Sequence, residues 1–462
     1  MTERGHDTSQ PGALAHTLMP RHVAMISLGG IIGAGLFVGS SAAIAMAGPS
    51  VLISYAIAGL IVFLIMRMLG EMAVARPGLG SFAEYAALGL GHWAGFMTGW
   101  LYWYFWVITV GFETIAGASL LHAWIAAPTW VIGLFLITAM TATNLMSVRA
   151  YGEFEFWFAS LKITAIGLFI LIGLAFVFGF GPGPAAAWQT ATSHGGLFPK
   201  GFSAPFAAIP IVIFSMMGSE IATIAASETA APAQNVARAA RTVSLRILLF
   251  YVASMALIVS VIPWNSITPG DSPFTVALRA MHVPGAATAM SIVAITAVLS
   301  CLNSGLYITS RMLHELARRG DAPGIFAAVS GNKVPRLGIL FGTVAGFAAA
   351  LTDIYYHDGL FEFLLDTSGA IILFIYLLIA AGEIQLRRRL ERAGEPIPLK
   401  MWLFPALSYG VIGMIAFVLI LMAFTPDLRV QIALSTLSVL VIAASFAMRR
   451  RFGGLPEVKP AE

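Results

Sequence analysis

The stretch LGGIIGAGLF at positions 28–37 places four glycines within seven residues of a long apolar run. Inside a helix each glycine costs up to about 1 kcal/mol relative to alanine, so helix formation is weakest here. At about 1.5 Å per residue from Arg21, the stretch lies near the middle of a bilayer core of about 30 Å. Small residues also permit close helix packing, which a GxxxG-like pair alone satisfies. Four clustered glycines favour a helix broken at mid-membrane, with free N–H and C=O groups facing a cavity.

The composition of the whole chain requires a membrane. Its 462 residues are 58% hydrophobic and 10% charged, whereas soluble domains carry about 25% charged residues. At about 20 residues per span, the length accommodates about twelve spans and no sizeable soluble domain. The predicted spans are 22–46, 49–68, 93–121, 128–146, 157–180, 204–226, 243–263, 284–310, 337–353, 361–383, 403–424 and 428–448. Unpaired backbone groups are costly in lipid, so we predict an all-α membrane protein with twelve transmembrane helices.

Lysine and arginine give the orientation of these helices. Of the 26 such residues, 22 lie in the two tails and the breaks after even-numbered spans, and only Lys200, Arg279 and Arg429 lie in the opposite breaks. Because positive loops stay inside, tails 1–21 and 449–462 are predicted to be cytoplasmic. The basic residues fall in short breaks, which is not the pattern of a nucleic-acid surface. The single cysteine, Cys301, excludes an intrachain disulfide and a cysteine-based metal site.

A second, weaker interruption opens the other half of the chain. The stretch FSMMGSE at 214–220 combines a glycine, two serines and a carboxylate within one apolar run. Spans 1 and 6 hold matching positions in two five-helix halves, 22–180 and 204–383, and halves with an odd number of spans have opposite topology. Interrupted helices at matching positions of inverted repeats indicate a transporter's midplane binding site. The remaining two spans, 403–448, are predicted to be accessory.

Ionisable residues inside spans are candidates for function, because such a charge costs about 2.5–3.5 kcal/mol on insertion scales. Glu220 either has a functional role or ties the break to a neighbouring helix. Glu113 either faces the cavity, where it would bind an amine or a proton, or points to the outer vestibule. Lys162 either snorkels to the interface or faces the bundle and exchanges a proton. Asp366 is interpreted as a polar packing or gating element.

An aromatic stretch, WLYWYFW at 100–106, precedes Glu113 in the same span. Such residues are more often packing or interfacial groups than ligand contacts. One or two of them can still cover a small cationic group. Tyr104 and Thr109 are therefore included as candidate substrate-binding residues.

Several motifs of other membrane proteins are absent from the sequence. There is no GxxxxGK[ST] stretch, which argues against ATP-driven transport, and no HExxH or GxSxG stretch of a membrane hydrolase. An ion gradient is the expected energy source, and no enzymatic activity, metal or cofactor is predicted. A channel or a receptor-like binder remains an alternative, in which the same cavity binds its ligand without accumulation.

The chain resembles a bacterial amino acid permease of the amino acid–polyamine–organocation superfamily. The resemblance runs from Pro20 to about Phe446 and rests on the stretches LGGIIGAGLFVGSS (28–41), MRMLGEMAVARPGLGSFAEYA (66–86), GWLYWYFW (99–106), YGEFEFWFASLK (151–162), FSMMGSEIATIAASET (214–229) and SCLNSGLYITSRMLHELARRGDAP (300–323). Further details, PRHVAM (20–25), IPWN (262–265) and FEFLLDTSGAI (361–371), are most similar to the γ-aminobutyrate permease group.

The resemblance implies a leucine-transporter-type fold, a five-plus-five inverted repeat with discontinuous helices 1 and 6 and two accessory helices. It also implies binding roles for backbone groups. The substrate carboxylate would be held by N–H groups that match Gly33, Ala34 and Gly35. The amine would be held by carbonyls of the two interruptions, which match Ile31, Phe214, Ser215, Met217 and Gly218. Glu220 and Lys162 match residues that couple protons, and Phe214 matches a gating aromatic.

Together these observations predict a carrier of the cell inner membrane. The expected function is import of a small zwitterionic amino acid, first of all γ-aminobutyrate, by proton symport with alternating access. The alternative is a permease or exchanger for polar or aromatic α-amino acids. The expected partners are this small molecule, H⁺ and the lipid bilayer, with no nucleic acid.

Overall fold

A computed structural model describes residues 25, 32–76, 79, 81–146, 148–181, 183–218, 220, 247–330, 334–356, 360, 363–364 and 368–452. These residues form helices, turns and loops, and no β-strand occurs among them. The predicted all-α class is therefore confirmed for this part of the chain.

The helices follow one another along the chain with short connections. Those of the first half are α1 (Ala34–Phe37), α2 (Gly39–Ala47), α3 (Val51–Ala75), α4 (Phe82–Leu90), α5 (His92–His122), α6 (Thr129–Met146), α7 (Val148–Ala175) and α8 (Pro184–Thr192). Those of the second half are α9 (Ala204–Ala207), α10 (Ile209–Met216), α11 (Ser254–Val261), α12 (Pro273–Ala280), α13 (Ala286–Arg318), α14 (Arg336–Thr352), α15 (Ile371–Arg392), α16 (Ala406–Phe424) and α17 (Arg429–Phe452). Single π-helical segments follow α7 at Phe176–Phe180 and precede α11 at Ile247–Ala253.

Seven helical stretches in the described part of the chain are long and apolar enough to cross a bilayer. They are Gly39–Ala75, His92–His122, Thr129–Met146, Tyr151–Gly179, Ala286–Arg318, Ala406–Phe424 and Pro426–Arg451. Shorter apolar helices cover Ala204–Met216, Leu249–Val261 and Arg336–Thr352. Several stretches of this length indicate a multi-pass membrane protein.

Several helix bounds differ from the predicted spans. The helix α7 begins at Val148 rather than at 157, and α13 runs to Arg318 rather than ending at 310. Hydropathy detects only the apolar part of a helix, so polar turns at either end are missed. The short helices α4, α8 and α12 were not predicted, although α4 starts with a capping box of Ser81 and Glu84.

Both predicted interruptions contain non-helical backbone. The residue before α1, Gly33, has an extended conformation, and α1 begins only at Ala34. At the other interruption, α10 ends at Met216; Met217 is extended and Gly218 has a φ of 106°. Glycine adopts such a positive φ without the steric cost of a side chain. Residues 26–31 and 221–246, which flank these segments, lie outside the described residues.

Close approach brings the two interruptions together. A Cβ on Gly35 would lie 2.8 Å from the Cα of Ser215 in α10. A Cβ on Gly33 would lie 2.7 Å from Cys301 of α13 and from a carboxylate oxygen of Glu113 in α5. The fold thus places α1 against α5, α10 and α13, and only glycine fits at the two contact points.

Candidate functional site

A cavity lies where α1, α5, α10 and α13 meet. It is lined by Gly33, Gly35, Phe105, Trp106, Thr109, Glu113, Phe214, Ser215, Met217 and Cys301. Its empty volume, including the space where it opens, is about 250 Å³, but a water-sized sphere can be centred in only about 10 Å³ of it. That is roughly the room that one water molecule needs. A larger ligand therefore requires the lining groups to move apart.

The carboxylate of Glu113 caps the start of α1. Its Oε1 and Oε2 accept hydrogen bonds from the Ala34 N–H at 3.1 and 3.3 Å, and the residue is 1% exposed. The first N–H groups of a helix have no partner within it, so an acceptor from another helix satisfies one of them. Of the two alternatives for Glu113, the structure places the side chain at the cavity. It occupies one of the N–H groups that the resemblance assigns to a substrate carboxylate.

The end of α10 presents carbonyl groups instead. The carbonyl of Ser215 accepts a hydrogen bond of 2.9 Å from the hydroxyl of Tyr251. The next residues turn away from the helix, and the Gly218 N–H donates to Oε1 of Glu220 at 3.3 Å. Glu220 is 1% exposed but does not line the cavity. Its carboxylate thus holds the turn after α10.

Aromatic rings form one side of the cavity. The ring of Phe214 meets those of Phe112 and Phe105 edge-on, with centroid distances of 5.2 and 5.8 Å. Thr109 lines the cavity, and its hydroxyl donates to the Phe105 carbonyl within its own helix. Tyr104 is half-buried and is not among the lining residues.

Sequence reasoning missed three lining residues, Phe105, Trp106 and Cys301. A helical pattern was available for the first, because positions 105, 109 and 113 repeat every four residues and share one face of α5. No comparable signal existed for Cys301, whose place at the cavity depends on how α13 packs against α1.

Lys162 lies below the cavity, fully buried between helices. Its Nζ donates to the Ile32 carbonyl at 3.0 Å and to the Ser300 hydroxyl at 2.8 Å, and Glu155 is 3.8 Å away. The side chain therefore faces the bundle rather than snorkelling to the interface. It touches the backbone just before α1 but is not a lining residue.

Two predicted residues lie outside the described part of the chain, Ile31 and Asp366. Within the described residues, no group of three or more His, Cys, Asp or Glu side chains is placed to hold a metal ion. The chemistry of the cavity therefore rests on backbone groups, one carboxylate, a thiol, a few hydroxyls and aromatic rings.

The sequence matches one family along almost its whole length, since residues 22–453 fit the family model described as amino acid permease. The chain belongs to the amino acid permease family. The permease is 45% identical over 446 residues to a γ-aminobutyric acid permease of Bacillus subtilis (strain 168), covering 96% of this chain and 95% of the relative. It is 44% identical to a γ-aminobutyric acid permease of Escherichia coli (strain K12), covering 92% of each.

A third relative has another stated substrate class. An aromatic amino acid transport protein of Corynebacterium glutamicum is 37% identical to the permease over 421 residues, covering 90% of this chain and 91% of the relative. The family resemblance inferred from the motifs is thus confirmed. Membership implies amino acid transport across a membrane rather than catalysis.

Proposed function

We propose that the permease imports a small zwitterionic amino acid, first of all γ-aminobutyrate, by proton symport with alternating access. One observation carries the proposal: an N–H group at the start of α1 and the carbonyls at the end of α10 face the same buried cavity. Free N–H groups attract anions and free carbonyls attract cations, so the two ends suit a molecule with a carboxylate and an amine. The names of the two most similar relatives quoted above support γ-aminobutyrate.

The proposed carboxylate site consists of the N–H groups of Gly33, Ala34 and Gly35. Glu113 holds the central one, so the incoming carboxylate displaces it. Two adjacent carboxylates repel each other, whereas a carboxylate and an ammonium attract. We therefore assign the released Glu113 to the substrate amine. Ala34 provides no hydroxyl for an additional contact, so the backbone supplies the binding at this end.

The proposed amine site lies at the other interruption. Its backbone groups come from Ile31 and the segment of Phe214, Ser215, Met217 and Gly218. In the structure the Ser215 carbonyl is fixed by Tyr251, and Phe214 covers the cavity as the gating aromatic. Carbonyls held by their surroundings bind an ammonium without a reordering cost at the moment of binding.

Lys162 is the first candidate for proton coupling, and Glu220 the second. An ammonium donates a stronger hydrogen bond than a neutral amine, so the contact of Lys162 with the Ile32 carbonyl depends on its proton. That contact lies immediately before α1. Loss of the proton would loosen the segment that leads into the carboxylate site. Glu220 would act in the same way on the turn after α10.

The proposal includes the complete predicted architecture. Twelve transmembrane helices form two inverted repeats, 22–180 and 204–383, with helices 1 and 6 discontinuous and 403–448 accessory. Both termini, 1–21 and 449–462, are assigned to the cytoplasm and the protein to the inner membrane. Rocking of the bundle that contains the interrupted helices against the rest would expose the cavity to each side in turn.

A second candidate function is a permease or exchanger for polar or aromatic α-amino acids. The rings of Phe105, Trp106 and Phe214 line the cavity, and aromatic pairs add about 0.5–1.5 kcal/mol beyond area burial. The similarity to an aromatic amino acid transport protein favours the same alternative.

Uptake into proteoliposomes tests the proposal. We expect radiolabelled γ-aminobutyrate to accumulate above its external concentration under an inward proton gradient, and the accumulation to collapse with a protonophore. Competition with γ-aminobutyrate, β-alanine and the twenty common amino acids identifies the substrate. Uptake that only equilibrates would indicate a channel, and absence of uptake for every amino acid and amine would refute transport of this class.

Two variants test the coupling residues in the same assay. Lys162→Ala is expected to lose proton-driven accumulation while retaining exchange of labelled for unlabelled substrate, because exchange needs no net proton movement. Glu220→Gln is the parallel test for the second candidate. If both variants keep the pH-dependent uptake of the unchanged protein, neither residue carries the coupling proton.

A further inference from the structure

A row of buried polar side chains, here called the polar file, extends from Lys162 along the contact between α7 and α13. Its members are Tyr151, Glu155 and Lys162 of α7 and Ser300 and Ser304 of α13. Each is at most 1% exposed. Positions 151, 155 and 162 are separated by about one and two helical turns, as are 300 and 304 by one, so each set shares one helix face. Two apolar helices thus bury matching polar stripes.

The hydrogen bonds within the polar file have the direction that a proton relay requires. The Nζ of Lys162 donates to the Ser300 hydroxyl at 2.8 Å, and the same hydroxyl donates to Oε1 of Glu155 at 2.5 Å. Ser300 therefore accepts from one ionisable group and donates to the other. Among the described residues, Oε2 of Glu155 has no hydrogen-bond partner, which leaves an oxygen on which a proton can be held.

The polar file continues from Glu155 towards the start of α7. Ser304 faces the Glu155 carboxylate, and its hydroxyl is 3.1 Å from that of Tyr151. Tyr151 is in the first turn of α7, about 16 Å along the helix from Lys162. The positive-inside pattern assigns this end of α7 to the cytoplasm.

The surroundings of the polar file contain few other titratable groups in the described part of the chain. Glu113 of α5 and Cys301 of α13 face Lys162 from the cavity side. At the far end the ring of Tyr307 stacks on Tyr151 with a centroid distance of 4.0 Å, and the guanidinium of Arg311 lies over Tyr307. Glu155 is thus the carboxylate reached from Lys162 through a single hydroxyl.

We propose that Glu155 receives the proton of Lys162 through the Ser300 hydroxyl, on its way to the cytoplasmic end of α7. This inference rests on the proposed proton symport. As Ser300 takes a proton from Nζ, it gives its own proton to Oε1 of Glu155. An ammonium and a carboxylate become an amine and a carboxylic acid, and no bond between heavy atoms changes. Release of the proton from Glu155 towards Ser304 and Tyr151 restores the carboxylate.

The relay connects proton release to the carboxylate site. While Lys162 is protonated, it holds the Ile32 carbonyl with a charge-assisted hydrogen bond, which is roughly twice as strong as a neutral one. Transfer to Glu155 weakens this bond without exposing a charge to lipid, because the ion pair is neutralised within the protein. The segment before α1 is then released together with the proton.

Ser300→Ala and Glu155→Gln test the relay in full-length protein reconstituted into liposomes that contain a pH-sensitive dye. Both variants keep the shape of the site, but the first lacks the relaying hydroxyl and the second cannot take the proton. We expect proton-driven accumulation and substrate-induced acidification to fall by at least about tenfold, as befits loss of a positioned proton-transfer group. Exchange of labelled for unlabelled γ-aminobutyrate should stay within about twofold.

Ser291→Ala on the same helix is the matched control, because its hydroxyl bonds only the Ala287 carbonyl of its own turn. Thermal unfolding in detergent shows whether each variant is folded. Equal losses of exchange and accumulation in folded variants would overturn the relay in favour of a structural role, and accumulation at the level of the unchanged protein would overturn it directly. If the unchanged protein exchanges substrate but never accumulates it under a proton gradient, the proposed symport fails and the relay fails with it.

Discussion

The segment that leads into α1 and the segment that follows α10 meet at one cavity, but they present opposite backbone groups to it. At Ala34 a helix begins, so its N–H points outward and finds a carboxylate, Glu113. At Ser215 a helix is about to end, so its carbonyl is available and finds a hydroxyl, that of Tyr251. The two interruptions are therefore not equivalent copies of one another.

The difference shows how a single apolar cavity acquires two poles without buried side-chain charges of both signs. Isolated charges in a membrane interior are costly, whereas helix ends supply partial charges through the peptide groups themselves. The carboxylate of Glu113 then acts as a stand-in at one pole, and a neutral hydroxyl does so at the other. We expect changes at the first pole to have larger effects than changes at the second.

The largest effect is expected from Gly35→Ala, which separates the two interruptions. The new Cβ would lie 2.8 Å from the Cα of Ser215, a backbone atom of α10 that has little freedom to yield. Overpacking of this kind costs about 1–3 kcal/mol, and at its upper end it corresponds to a loss of about 100-fold. Initial rates of γ-aminobutyrate uptake in proteoliposomes measure it.

Gly39→Ala is the matched control for this substitution. A Cβ there would meet only the Ala34 carbonyl oxygen, at an ordinary contact distance of 3.8 Å. Uptake by this variant should be close to that of the unchanged protein. If both alanine variants transport equally well, close approach of α1 and α10 does not govern the site.

A smaller effect is expected from Glu113→Gln. The carboxamide can still accept a hydrogen bond from Ala34, but it lacks the charge that would pair with the substrate amine. Hydrogen bonds to charged groups contribute about 1.5–3 kcal/mol, so we expect KM to rise by about tenfold or more. Glu113→Asp keeps the charge and should lose less. An unchanged KM for the glutamine variant would contradict the assignment of Glu113 to the amine.

The interruptions were predictable from sequence because glycine acts locally. The cluster at 28–37 marks the weak helical segment wherever the rest of the chain packs, and Gly218 sits at a positive φ that favours glycine. Long apolar helices such as α5 and α16 were predictable for a similar reason, since their hydropathy is a property of the segment alone. The short helices between spans were missed because their signals are caps and prolines, not hydropathy.

The contents of the cavity were less predictable. The interaction of Glu113 with Ala34 joins residues 79 positions apart and depends on how α5 packs against α1. The same holds for Ser300, which relays between Lys162 and Glu155 but is an ordinary serine in an apolar run. A residue's type and spacing indicate that it is available for chemistry, whereas its partner is set by tertiary packing.

The smallest effect is expected from Tyr251→Phe at the second pole. This variant removes the hydroxyl that fixes the Ser215 carbonyl and leaves the ring in place. A neutral hydrogen bond contributes about 1 kcal/mol, so KM should rise by about fivefold with little change in the maximal rate. Tyr409→Phe on α16, where the ring is 48% exposed, is the control. A loss as large as that of Glu113→Gln would show that the carbonyl pole contributes as much as the N–H pole, and the asymmetry between the interruptions would then be one of geometry alone.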